Sequence, residues 1–414
     1  MGRQRSAKDR HRDAVLALLH RGHELTRGEI SEHLGLTRTT VSDVLVSLRG
    51  DGIITVSRAR PADGRGRPAE VLRIHPGAVR YIGIEFTHTA VTVCLANAAG
   101  EIVASGTTHY EHETGWESRV RTGVALVHAL TIDDVHLVPL AGIGIGLPGP
   151  NSASWQGFHR GDRIAEPFHL VRARIREVFG EEFAAPVLVD HHIRFAAQEV
   201  AAADGRADCS LVYLRLSTGS GGAVLGDGGA RRGTNLLAGE IGHMIVDHSD
   251  SAQMCRCGRR GCLETVASHD AVLARWRSMI GAAAATDDDT CFEQLRTAVT
   301  TGEKEAISLM SDIAETVGRV LGIASLVMDP DQIVIAGEVG ALLAPVLPVL
   351  REALCRETLT GENLQIRIAT TDTEQGARGA ITALRAQDPH PDLRTPAWLR
   401  PVRSVDLAGG TRVR

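Results

Sequence analysis

The residues best suited to chemistry lie in the stretch AGEIGHMIVDHSDSAQMCRCGRRGCLE (238–264). Cys255, Cys257 and Cys262 fall within eight residues, and His243 precedes them. One imidazole and three thiolates make a tetrahedral zinc set in which four protein donors leave no open position. A Zn2+ ion held this way is structural rather than catalytic. Gly258 and Gly261 let the chain fold tightly around it. Asp247, His248 and Asp250 stand nearby as rival ligands, although a hard carboxylate suits a thiolate-rich site less well. The other four cysteines, Cys94, Cys209, Cys291 and Cys355, are scattered. An odd total with one tight cluster fits metal binding in a reducing compartment better than a disulfide framework.

A second set of residues suits a polyanion. Residues 1–78 carry 14 Lys and Arg against 9 Asp and Glu, whereas the remainder carries 31 against 41. A basic head on an acidic body points to a nucleic-acid contact confined to the head. Its hydrophobic pattern agrees. Val15, Leu16, Leu18 and Leu19 form a helical stripe. Thr26, with Glu29 three residues on, predicts a capping box opening a second helix. That helix turns Ile30 and Leu34 inward and stops at Gly35. Thr37 starts a third helix, with Val41, Val44, Leu45 and Leu48 inward and Arg38, Thr39, Thr40 and Ser42 exposed in its first turn. A helix, a short turn and a helix with a polar start form the helix-turn-helix layout, whose second helix enters the major groove N-terminus first. Arg38 suits base edges or phosphate, and the hydroxyls of Thr37, Thr39, Thr40 and Ser42 suit either. Ile53–Val56 and Glu70–Ile74 then read as the strands of a wing. Arg65 and Arg67 lie at its tip among small residues, a composition suited to a narrow minor groove.

At 414 residues the chain has room for two or three domains, and 43% hydrophobic with 23% charged residues is an ordinary globular balance. No apolar run approaches the roughly 18 to 20 residues needed to span a bilayer. The opening MGRQRSAKDRHRD lacks a signal peptide's apolar stretch, so a cytoplasmic location with no membrane contact is expected. His75-Pro76-Gly77 reads as a linker. Tyr81–Phe86, Ala90–Ala96 and Glu101–Ser105 then read as strands opening a mixed sheet. AGIGIGLPGP (141–150), Leu211–Leu216 and Gln332–Ala336 are apolar strands running into glycine turns, and a long helical pattern covers 304–328. Such interleaving predicts α/β lobes with sites at strand ends. Beyond the last helical pattern, Glu374–Arg385, residues 389–414 are expected to form a flexible tail.

These residues together resemble the ROK family, which holds transcriptional repressors and sugar kinases on one actin-like fold. The similarity runs over about residues 11–388. It is most specific in Glu240-Ile241-Gly242-His243 and the following Cys-Arg-Cys-Gly-Arg-Arg-Gly-Cys-Leu-Glu. The resemblance implies an α/β chain: an N-terminal winged helix-turn-helix over 1–78, then a two-lobed actin-like, sugar-kinase-like body over 79–388. It implies zinc on His243, Cys255, Cys257 and Cys262, and sugar contacts from Glu240, His243 and Glu264. Counting back from Glu199, Asp190-His191 falls where the kinases carry an Asn-Asp pair that also touches the sugar.

The departures from the family pattern bear on activity. The kinases' Asp-Xaa-Gly-Gly-Thr phosphate loop corresponds to Glu85-Phe86-Thr87-His88-Thr89, and both glycines are gone. Without them the backbone cannot approach a nucleotide's phosphates as closely. His191 occupies the general-base position, unless a one-residue shift restores Asp190 there. Phosphoryl transfer is therefore not expected. His191, His192 and Arg194 would give the pocket positive character, suited to an acidic or phosphorylated sugar. The expected protein is a ligand-responsive transcriptional regulator, a repressor, reading a pseudo-palindromic double-stranded DNA operator as a homodimer. Two other readings are a sugar kinase with an appended DNA-binding head and a regulator answering to a protein partner.

Overall fold

The computed structural model describes residues 7–22, 24–58, 70–111, 113–131, 135–149, 168–205, 209–226, 229–281, 285–359, 361–370 and 372–387. Arg65, Arg67 and the 389–414 segment lie outside the described residues. One compact unit runs through Ala78 and a second spans Val79–Arg385. No helix among the described residues is long and apolar enough to cross a membrane.

The head consists of α1 (Ala7–Gly22), β1 (Leu25–Thr26), α2 (Arg27–Leu34), α3 (Arg38–Gly50), β2 (Ile54–Arg58) and β3 (Glu70–Ile74). Its three-stranded antiparallel sheet has the order β1-β3-β2. Val15, Leu19, Ile30, Val41, Leu45, Leu48 and Leu72 form the buried interior. The start of α2 is fixed by reciprocal capping. The Thr26 hydroxyl accepts from the Glu29 amide at 3.3 Å, while the Glu29 carboxylate accepts from the Thr26 amide at 2.7 Å. Gly35 ends the helix at φ +61°, a conformation that costs glycine little. After β3 the expected linker is a hydrogen-bonded turn. The His75 amide donates to the Ile53 carbonyl, and the Gly77 amide donates to His75 Nδ1.

The body contains β4 (Ala78–Phe86), β5 (Ala90–Asn97), β6 (Ile102–His109), α4 (Trp116–Leu130), β7 (His136–Leu147), α5 (Phe168–Glu182), β8 (Val187–His191) and α6 (His192–Ala203). Next come β9 (Leu211–Leu216), β10 (Ser220–Gly226), β11 (Gly229–Ala230), α7 (Glu264–Ala267), α8 (His269–Ile280), α9 (Asp288–Thr301) and α10 (Lys304–Met328). The chain continues through β12 (Gln332–Ala336), α11 (Glu338–Ala341), α12 (Leu347–Glu357), β13 (Gln365–Ile368) and α13 (Gln375–Gln387). The two sheets have orders β6-β5-β4-β7-β8 and β11-β10-β9-β12-β13. In each, the third strand of the lobe pairs with the second, the second with the first, and two later strands extend the other edge. One topology is used twice, and the second copy carries the long loop between β11 and α7.

Each sheet is covered on both faces. The first packs α4 and α5 on one side, through Val120, Val127, Ile175 and Phe179, and α13 on the other, through Ala377 and Ile381. The second packs α10 and α12 on one side and α6 on the other. The sequence of β7 shows how the helices approach so closely. In Gly142-Ile143-Gly144-Ile145-Gly146-Leu147 the pleat sends Ile143, Ile145 and Leu147 into the outer core. The glycines face inward, where Cβ atoms would press on Leu384, Ala380 and His192.

Helices α6 and α13 cross where Gly379 meets Phe195, and a Cβ at Gly379 would overlap the Phe195 carbonyl oxygen. Gly379→Ala should therefore cost about 1–3 kcal/mol through overpacking. Calorimetry should show the body's melting midpoint lowered by a few degrees, with its far-ultraviolet circular dichroism unchanged.

Candidate functional site

A cleft in the body collects the ends of several elements. Its walls come from the β4–β5 turn (Thr87, His88), the turn after β7 (Pro148, Gly149), the junction of β8 and α6, and the β9–β10 turn. Arg215, Glu240, His243 and Arg256 complete it. The empty space out to its mouth, open solvent included, is about 570 Å³.

Behind the wall a single carboxylate ties the body together. Glu85, near the end of β4, is 2% exposed. Its Oε1 accepts from His192 Nδ1 at 2.8 Å and from Arg215 at 3.1 Å, and its Oε2 accepts from the Gly376 amide at 3.0 Å. Those donors belong to α6, β9 and α13. Burial opposes the ionisation of Glu85, yet His192 and Arg215 outweigh it and hold the carboxyl below its ordinary range. The next turn is equally committed. The Thr87 carbonyl accepts from Tyr110 at 2.9 Å and from Arg119 at 3.3 Å.

His191 caps α6, its Nδ1 accepting from the Ile193 amide at 3.1 Å. Burial, then the positive charge of His192, Arg194, Arg256 and Arg215, drives its pKa well below the usual imidazole range. The ring is therefore neutral, and with Nδ1 accepting, its proton sits on Nε2. Nε2 lies 4.0 Å from Glu240 Oε1 and packs against Gly149, where no Cβ fits. An N–H here donates a hydrogen bond; it cannot take a proton from a hydroxyl. Burial pushes the Glu240 carboxyl up to about 7, with Arg194 and Arg256 pulling the other way.

Asp190 and Glu264 do not appear on the wall. Asp190 Oδ1 accepts from Arg194 at 2.8 Å and from the His191 amide at 2.7 Å, and its Oδ2 accepts from Arg232 at 2.6 Å. Arg194 is likewise turned from the cleft, donating to the Leu236 carbonyl at 2.6 Å. Glu264 Oε2 accepts from Arg256 at 2.6 Å and from the Ser220 amide at 3.2 Å. In both cases a nearby guanidinium offers a buried carboxylate better compensation than an open cleft would. His191, Glu240 and His243 do line it. Sequence reasoning passed over Arg215 and Arg256. Their signals were an arginine inside the apolar strand Leu-Val-Tyr-Leu-Arg-Leu and an arginine set between two cysteines.

Beside the cleft, ligand atoms of His243, Cys255, Cys257 and Cys262 lie within 4.8 Å of one another. His243 Nδ1 is 3.5 Å from Cys255 Sγ, and Cys257 Sγ is 3.5 Å from Cys262 Sγ. Bonds of about 2.0–2.3 Å in a tetrahedron set donors roughly 3.5–3.8 Å apart, so the donor set fits a thiophilic metal ion. Asp247, His248 and Asp250 do not join this group. The Asp247 carboxylate accepts from the Ser249 amide at 2.9 Å. Arg259 braces the loop by donating to the His243 carbonyl at 2.8 Å. Because Nδ1 faces the thiols, one ring edge belongs to the metal cluster while the ring itself forms cleft wall.

In the head, Thr37 caps α3, its hydroxyl accepting from the Thr40 amide at 3.2 Å. Arg38 and Thr39 are exposed, whereas Thr40 and Ser42 are half-buried. Val46, on the same outer face, is 69% exposed and was not singled out from the sequence.

The Glu85 contacts generate a pH dependence. Its folded pKa lies below the unfolded value of 4.5, so its stabilisation is present above about pH 4.5 and is lost as pH falls through the folded value. Glu85→Gln, which strands Arg215 as a buried charge, should cost about 3–5 kcal/mol at neutral pH and flatten the acid limb of the stability profile. Denaturant melts between pH 3 and 8 would show both effects.

Comparison with known proteins agrees with these parts. The ROK family model matches residues 81–387, and a Crp-like helix-turn-helix domain model matches residues 11–61. The "Putative xylose repressor" of Caldicellulosiruptor sp. (strain Rt8B.4) is 24% identical over 403 residues, covering 91% of this chain and 95% of the relative. The "DNA-binding transcriptional dual regulator NagC" of Escherichia coli (strain K12) is 27% identical over 387 residues, covering 89% and 90%. A crystal structure of a ROK family transcriptional regulator, described as a homolog of the E. coli MLC protein, shares the fold with a TM-score of 0.67 at 20% identity. It covers 92% of this chain and 96% of that one. With a family model spanning the whole body and a helix-turn-helix model on the head, the chain belongs to the ROK family and is one of its DNA-binding transcriptional regulators.

Proposed function

We propose that this protein is a cytoplasmic transcriptional repressor. In this reading its winged head binds a duplex operator as a homodimer, and its cleft senses a sugar or sugar-derived effector without turning it over. The state of His191 carries the reading. The position that the family resemblance gives to a general base holds a neutral imidazole with its proton on the cleft side, so a substrate hydroxyl there finds a donor instead of a base. Glu85, in the stretch matching the phosphate loop, accepts from His192, Arg215 and the Gly376 amide inside the fold and is 2% exposed. The walls nevertheless keep Glu240, His243 and Ser220, groups that exchange hydrogen bonds with ring hydroxyls.

DNA contact is assigned to the outer face of α3 and to the wing. Arg38 and Thr39 lead, Thr37, Thr40 and Ser42 frame the helix start, and Arg65 and Arg67, which fall in sequence between β2 and β3, are expected to join them. Two heads related by a twofold axis would read half-sites about one helical turn apart, or a multiple of it. The effector acts by favouring one lobe arrangement, and its differential affinity for the two arrangements is the coupling free energy. Zn2+ on His243, Cys255, Cys257 and Cys262 supplies a rigid cross-link. Glu240, His243 and Glu264 are then held in register by the loop those ligands anchor.

Operator footprinting, repeated with candidate sugars, tests DNA binding and sensing together. Arg38→Ala should weaken operator affinity by about five- to a hundredfold, the range of one good base or phosphate contact. No sugar should stimulate ATP consumption; brisk turnover would overturn the reading in favour of a kinase with an appended head. Elemental analysis should give one zinc per chain. Cys257→Ser should lose that zinc, and the sugar response should fail before operator binding does.

A further inference from the structure

The outer side of α3 carries a carboxylate and a valine that the fold does not use. At about 100° per residue, the buried Val41, Val44, Leu45 and Leu48 occupy one side of the helix, while Thr39, Asp43 and Val46 share a sector of about 60° opposite them. Thr39 and Asp43 are exposed, and Val46 is 69% exposed. Three other acids of the head are paired within it: Glu24 lies 3.8 Å from Arg73, Glu70 lies 3.0 Å from Arg27, and Asp51 is held by Arg12. The Asp43 side chain makes neither an ion pair nor a hydrogen bond among the described residues. Val46 likewise adds nothing to the interior, and a β-branched residue is a weaker helix former than Ala, Leu or Arg at such a position.

Both groups are ill suited to a phosphate backbone and well suited to base edges. A carboxylate is repelled by phosphate and needs a donor once desolvated. In the major groove the amino donors are cytosine N4 and adenine N6, and on adenine the N7 acceptor stands beside the donor. A lone carboxylate therefore favours cytosine. Valine has no hydrogen-bonding group, and the 5-methyl of thymine is the apolar feature of that groove. From Thr39 to Val46 the stripe runs about 10 Å along the helix axis, close to three base-pair steps of about 3.4 Å. Arg38 and Arg49, both exposed, flank it on one side and offset the repulsion between Asp43 and the phosphates.

We infer that α3 selects its operator through Asp43 and Val46: the Asp43 carboxylate accepts from the amino group of a cytosine, and the Val46 methyls pack on the 5-methyl of a thymine in the same half-site. This rests on the assignment of DNA contact to the outer face of α3. Asp43 discriminates chiefly by exclusion, because at any other base the desolvated carboxylate would face an acceptor or find no donor. Arg38 and its hydroxyl neighbours anchor the helix, whereas Asp43 and Val46 decide which sequence it tolerates.

Binding-site selection from a randomised duplex pool, run with the full-length protein, provides the test. The wild type should enrich half-sites with a C·G pair at a position where Asp43→Asn instead prefers A·T, because an asparagine amide pairs with adenine N6 and N7. Other positions should keep their preference. Asp43→Asn should also bind unrelated duplex at least as tightly as the wild type, since a negative charge has been removed. In the enriched operator, replacing thymines singly by deoxyuridine removes only the methyl group. At one thymine per half-site, wild-type affinity should fall about two- to fivefold, and Val46→Ser should abolish that sensitivity. Both side chains point away from the interior, so the variants should melt with the wild type, which separates altered readout from damage to the fold. If Arg38→Ala weakens operator binding while Asp43→Asn keeps the wild-type consensus, or Val46→Ser the wild-type deoxyuridine profile, the inference falls and the α3 assignment stands. If none of the three substitutions changes operator binding, both fall.

Discussion

The body of this protein is organised around the buried carboxylate of Glu85. Taking that charge out of water costs several kcal/mol, and only donors supplied from elsewhere in the fold can offset it. They come from the start of α6, from β9 of the second sheet and from the N-terminus of α13. One ion therefore joins the first sheet to the second and to both helices packed between the sheets. If any donor moved away, the carboxylate would be left undercompensated, so the lobes and crossing helices are constrained as a set. The glycine face of β7 and the contact of Gly379 with Phe195 are the steric counterpart, letting α6 and α13 come close enough for those bonds to form.

Against that framework the cleft reads as a recognition site. A phosphoryl-transfer site needs a base to receive a proton and a carboxylate free to hold the nucleotide's metal. Here the first is a neutral N–H donor and the second is buried and held by three donors of the fold. What remains is a preorganised polar wall, with two arginines held by carboxylates behind them and a metal-cluster loop bracing Glu240, His243 and Arg256 from one side. Under the proposed reading, selective hydrogen bonding of that kind supplies affinity and discrimination.

Much of this was legible in the sequence, and the rest was not for definable reasons. Local rules gave the capping box of Thr26 and Glu29, the inward face of α3, and the span of α10, because each depends on residues within a few positions of one another. The gathering of His243, Cys255, Cys257 and Cys262 was legible because those residue types at tight spacing have few other uses. The fate of Asp190 and Glu264 was not. Their residue types suit a sugar site, but whether a carboxylate faces a cleft depends on which arginine the tertiary fold delivers to it. Arg232 lies 42 positions beyond Asp190, and the Glu85–Arg215 pair spans 130. The two-residue strand β1 escaped notice because it is too short to show alternation. The helical stripe of α3 identified its buried valines, and by the same logic offered no reason to mark Val46 on the outside.

The placement of His191 against Gly149 bears on how the cleft could be redesigned. Placing a carboxylate at position 191 would supply a proton acceptor, but Glu85 would still be gripped by Arg215, His192 and Gly376. Freeing Glu85 first would unpin the lobes before any base existed to profit from it. A released Glu85 would therefore need new partners for Arg215 and His192 if the lobes are to stay pinned.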